Sequence, residues 1–95
     1  MRKLTTADLR EMEVINLCGG ERLGYPCDFE LDIDCATILS IIVPKQSSFS
    51  LFSKKEVYII PWCNIECIGE DAILVKIPQN ELFCCDEFRR RKRSR

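Results

Sequence analysis

The chain has 95 residues, 46% hydrophobic and 31% charged, with fourteen Lys and Arg, fifteen Asp and Glu and no histidine. That length suits one domain with its own core, and no apolar run nears the ~18 residues expected of a membrane-spanning helix. Lack of histidine removes the commonest general base and the usual nitrogen ligand of zinc, and an N-terminus without a secretory pattern leads us to expect a cytoplasmic protein.

In chain order, Thr5 with Asp8 three residues later is a capping-box pattern for one short helical turn. Residues 13–17 are rich in β-formers, and the Gly19-Gly20 pair predicts a tight turn into a second strand, so the two read as a hairpin. From Cys27 the sequence alternates. Cys27, Phe29, Leu31 and Ile33 are predicted on a buried face and Asp28, Glu30, Asp32 and Asp34 on a wet one. "ATILSIIV", closed by Pro44, is continuous in apolar residues and predicts a more central strand. The polar loop that follows carries Phe49, Leu51 and Phe52. "EVYIIPW" and "AILVKI" predict two more strands, joined by a turn, a short strand and a second turn around Gly69. Beyond Pro78, Leu82, Phe83 and Phe88 suit a turn or two of helix, or a frayed end. Short strands, tight connections and no long amphipathic helix imply an all-β barrel or sandwich.

The charged and sulfur-bearing residues are the candidates for chemistry. Four alternating acids invite a cation site, but same-face strand residues lie about 6.6 Å apart, so one strand cannot wrap an ion and a solvated face is expected. The seven cysteines, an odd number, read as free thiols acting as small hydrophobes. A thiolate metal site from Cys63, Cys67, Cys84 and Cys85 is the alternative, requiring the C-terminal segment to fold against the turn after Trp62. A cysteine nucleophile would lack a histidine base. Six of the fourteen cations are Arg89, Arg90, Arg91, Lys92, Arg93 and Arg95, which leaves residues 1–88 with eight positive and fifteen negative charges, a net −7. That basic run is a candidate phosphate contact for nucleic acid, without an aromatic interleaved to give specificity.

Five segments carry a resemblance: "EVINLCGGERLG", "CDFELDI", "IIVP", "FSLFSKKEVYIIPW" and "IGEDAILVKI". In this order and spacing the chain resembles the PRC-barrel family, and within it the sporulation-associated YlmC/YmxH group of spore-forming Firmicutes. The resemblance implies a PRC-type barrel of about six strands over residues 1–78, with residues 79–95 as a short helical or disordered extension ending in the basic run. It also implies a docking module without catalysis or cofactor, since barrels elsewhere in the family serve as docking surfaces. The chain departs from the family pattern at Cys35-Ala36, where Thr-Gly is common, and at Ser50 and Ser53, where glycines are common.

The expected function is therefore that of a non-enzymatic adaptor in sporulation, acting by protein–protein contact. Phe49, Leu51 and Phe52, with Trp62 nearby, are the candidate partner contact or homodimer contact, because large apolar residues in a polar loop often mark an interface. The same side chains would equally cap the open end of a barrel. No metal ligand or catalytic residue is assigned.

Overall fold

The computed structural model describes residues 2–45, 56–78 and, as backbone, 84–85. It opens with α1 (Thr6–Leu9), where Thr5 Oγ1 accepts from the Asp8 N–H and the Asp8 carboxylate accepts from the Thr5 N–H. This is the predicted capping box. The strands are β1 (Glu13–Asn16), β2 (Arg22–Gly24), β3 (Asp28–Asp32), β4 (Thr37–Pro44), β5 (Val57–Pro61), β6 (Ile65–Ile68), β7 (Ala72–Val75) and β8 (Cys84–Cys85), with a 3₁₀ turn at Trp62–Asn64.

The all-β class is as expected, but the described strands do not close on themselves. They form two four-stranded sheets, β2-β1-β7-β6 and β3-β4-β5-β8, and among the described residues no ladder joins one to the other. The chain changes sheet three times, the last time between β7 and β8. Between β2 and β3 it passes through Pro26, which has no N–H to offer a ladder; between β5 and β6 it passes through the 3₁₀ turn after Pro61. Among the described residues the strands are thus arranged as a sandwich-like pair of sheets. β8, within the predicted C-terminal extension, pairs antiparallel with β5.

One core lies between the layers. Val14, Leu23, Ile73 and Val75 reach it from the first sheet, Ile41, Val43 and Ile60 from the second, and Leu9, Met12 and Ile77 close its margins. Phe29, Tyr58, Trp62, Ile65 and Ile68 pack around it. β4 is the central strand that its apolar run predicted: it pairs with β3 on one side and β5 on the other, and Ser40 to Val43 are buried on both faces. Most pairings are antiparallel, but β1 and β7 run parallel, with Val14 beside Ile73 and Asn16 beside Val75. This brings the first and the seventh strand together in one sheet.

Two turns show where backbone conformation is demanding. Gly20 sits at φ 79° in the β1–β2 turn, and its N–H donates to the Asn16 carbonyl at 2.7 Å. Ala36, in the β3–β4 turn, is left-handed at φ 57°, the only non-glycine with positive φ among the described residues. A left-handed L-residue costs about 1–2 kcal/mol, whereas glycine there adds unfolded-chain entropy of about 0.4–1 kcal/mol. Ala36→Gly should therefore raise stability, by about 0.5–1 kcal/mol on balance. A urea midpoint that stays put or falls would show that the turn does not bear this strain.

Candidate functional site

The β3–β4 hairpin is longer than the layer it packs against. β4 has eight residues, but β5 pairs only with Ser40 to Pro44, and the strands of the opposite sheet have three or four residues each. Beyond Ser40 the hairpin is therefore a two-stranded ribbon, formed by Leu31 opposite Ile38 and Asp32 opposite Thr37. A two-stranded ribbon is marginal in water unless its turn is held. Here the Asp32 carboxylate holds it, Oδ1 accepting from the N–H of Asp34 at 3.1 Å and of Cys35 at 3.3 Å. Leu39 has no cross-strand partner, because pairing steps from Glu30–Ser40 to Leu31–Ile38; it is the extra residue of a bulge in β4.

Exposure rises along the row predicted to be buried. Phe29 packs on the core, Leu31 is 57% exposed and Ile33 81%, while Leu39 on the facing strand is 50% exposed. Cys27, at the other end of the row, is exposed as well. Only Phe29 thus meets the expectation of a buried face. The alternation correctly places Phe29 and Leu31 on one side of β3, and Ile33 follows in the turn; the facing sheet, β2-β1-β7-β6, does not extend far enough to cover this end. Burying these three exposed side chains would remove from water the equivalent of about two whole ones, on the order of 3–6 kcal/mol. Association itself costs about 4–15 kcal/mol, so this apolar end needs polar contacts beside it to hold a partner.

The acids nearby are individually placed. Asp28 Oδ1 accepts from the Phe29 N–H at 2.8 Å, and Glu30 Oε1 accepts from the Ser40 hydroxyl at 2.6 Å. Asp32 holds the turn, and Asp34 is exposed at its tip beside Ile33. Among the described residues no three His, Cys, Asp or Glu side chains converge in a way that suits a metal ion. Residues 25–44 contain these four acids and not one Lys or Arg.

The cysteines depart from the role of core filler. Cys18, Cys27, Cys35, Cys63 and Cys67 are all free and exposed, because they sit in turns and on wet strand positions. Partial burial, and then the neighbouring Asp28 carboxylate, push the Cys27 thiol above its ordinary value, which keeps it protonated and a poor nucleophile. Cys63 lies in the 3₁₀ turn and Cys67 in β6, and Cys63 Sγ is 3.6 Å from Asn64 Oδ1. The Cys84 and Cys85 side chains lie outside the described residues, so the four-thiolate alternative is only half visible.

Of the residues chosen from sequence as a partner contact, Phe49, Leu51 and Phe52 lie outside the described residues, as do Arg89, Arg90, Arg91, Lys92, Arg93 and Arg95. Trp62 is half-buried in the 3₁₀ turn and packs against the core. Sequence reasoning placed Leu31 and Ile33 on the buried face and gave Leu39 no contact role. A signal was present in the tight run Asp34-Cys35-Ala36: apolar residues next to a turn in a long hairpin are the first to run out past a short facing sheet.

No family model matches the chain. It is 31% identical over 77 residues to the "Probable sporulation protein YlmC" of Bacillus subtilis, an alignment covering 80% of this chain and 95% of the relative. An uncharacterized protein of Clostridium acetobutylicum is 37% identical over 67 residues, covering 70% of this chain and 77% of that protein. The protein YmxH of Bacillus subtilis is 27% identical over 75 residues, covering 77% and 88% respectively. With near-complete coverage of one relative at that identity, the chain belongs to the YlmC/YmxH family.

Proposed function

We propose that the chain is a non-enzymatic, cytoplasmic interaction protein of spore formation that works by protein–protein contact through the end of the β3–β4 hairpin. The sporulation setting is supported by the name of its relative YlmC. The contact surface is supported by one observation above the others: Leu31, Ile33 and Leu39 are each exposed at the end of a hairpin that extends past β5 and past the strands of the facing sheet. A chain that had only to fold would gain solubility from polar residues there, since exposed aliphatic clusters on small domains mark interaction sites or aggregation hazards. Among the described residues no helix is long and apolar enough to cross a membrane.

The test is site-specific photo-crosslinking in sporulating cells, with the photoreactive residue at position 33 or, as a control, at Leu17, which is 49% exposed in the β1–β2 turn. Position 33 should give discrete protein adducts that Leu31→Ser abolishes. Equal adducts from both positions, or none from position 33, would remove the hairpin end from consideration.

A further inference from the structure

We propose that the partner seated on this hairpin end is a basic segment with interleaved apolar residues, belonging to another protein. The inference rests on the reading of the hairpin end as a contact surface and adds the chemistry of what it binds. Three exposed aliphatic side chains offer too little burial to hold a partner unaided, so charged groups at the rim must supply the rest. Every charged residue from position 25 to 44 is acidic: Asp28, Glu30, Asp32 and Asp34. Asp34 stands at the turn tip beside Ile33, and its carboxylate has no hydrogen bond or ion pair among the described residues.

A second copy of the chain is the competing occupant, and charge argues against it. β3 is an edge strand, so two copies would meet most simply along it. That pairing sets Asp28, Glu30 and Asp32 of one copy against the same acids of the other, and like charges directly opposite are destabilising. The Phe29 N–H, moreover, is already taken by the Asp28 carboxylate. A lysine- or arginine-bearing segment meets the opposite situation, with its aliphatic or aromatic residues on Leu31, Ile33 and Leu39 and its cations beside the acids.

Three fluorescein-labelled twelve-residue peptides, with alternating Lys and Leu, alternating Lys and Ser, and alternating Glu and Leu, are titrated with the full chain and followed by anisotropy. The Lys–Leu probe should bind at least tenfold tighter than either control. Ile33→Ser with Leu39→Ser should weaken it at least tenfold, while circular dichroism stays that of the parent. Asp34→Asn should weaken it severalfold and flatten its salt dependence. Binding of the Lys–Leu probe that ignores the serine substitutions would reduce the effect to a diffuse acidic surface and overturn the proposal. A chain that sediments as a dimer and is dispersed by Ile33→Ser would assign the surface to a second copy and also overturn it. So would a full-length variant with Arg89, Arg90 and Arg91 changed to Glu that binds the probe at least tenfold tighter, since the occupant would then be the chain's own terminus. Crosslinks from position 33 without Lys–Leu binding would refute the basic partner and leave the contact surface standing; no crosslinks at all would refute the surface itself.

Discussion

Asn16→Ala should lower the unfolding free energy by about 2–4 kcal/mol, because it strands buried backbone groups that no water can reach. Asn16 has no exposed surface, yet every polar atom of its side chain is used. Oδ1 accepts from the N–H of Ile77 at 3.0 Å and of Cys18 at 3.2 Å; Nδ2 donates to the Ile77 carbonyl at 3.0 Å and to Glu21 Oε1 at 3.2 Å. Its own N–H donates to the Glu21 carbonyl at 2.9 Å, closing the Gly-Gly turn. One amide thus pins the β1–β2 turn to the chain leaving β7. Removing it leaves both backbone groups of Ile77 unpaired in a dry site, which costs more than the bonds themselves were worth. For a domain of this size the loss should appear as a fall of about 10–25 °C in the melting temperature. Asn16→Asp should fare no better, since a carboxylate keeps the two acceptor contacts but faces Glu21 and the Ile77 carbonyl with no proton to give. A fall of only a few degrees in either variant would mean that a neighbouring group or water takes over these bonds.

Ile60→Ala should cost about 2–5 kcal/mol, whereas Ile33→Ala should change stability by no more than about 0.5 kcal/mol. The residue type and the substitution are the same; only the surroundings differ. Ile60 is fully buried, lies opposite Ile41 on β4, and fills the core between the two sheets, so its truncation opens a cavity that backbone on both sides resists closing. Ile33 is 81% exposed in a turn. Urea melts of both variants decide the matter. A large loss at Ile33 would make it a structural residue and weaken the case for a contact surface; a small loss at Ile60 would mean that the two sheets close over the gap.

Local features were legible in the residues. The Thr5–Asp8 box, the Gly19-Gly20 turn, the central strand ending at Pro44 and the turn at Gly69 depend on neighbours a few positions away, and each is where the sequence placed it. At the Gly69 turn, for instance, the Gly69 N–H donates to the Ala72 carbonyl at 2.8 Å, a contact within four residues. The candidate site was legible only in part. The alternation of acids and apolar residues after Cys27 was plain, but the conclusion that its apolar row is buried was not sound beyond Phe29, because a period of two reports which residues share a face and nothing about what covers it.

The sequence by itself determined the all-β class, the position of most strands and the acidic character of the hairpin, since these follow from side-chain type and short spacing. Tertiary structure alone decided the rest. The parallel pairing of β1 with β7 and the burial of Asn16 against Ile77 join residues about sixty positions apart, and nothing local encodes such partners or the division into two sheets that goes with them. The exposure of Leu31 and Ile33 belongs with them: it arises from a mismatch between an eight-residue β4 and facing strands half as long or shorter, a property of two segments together and of neither one alone.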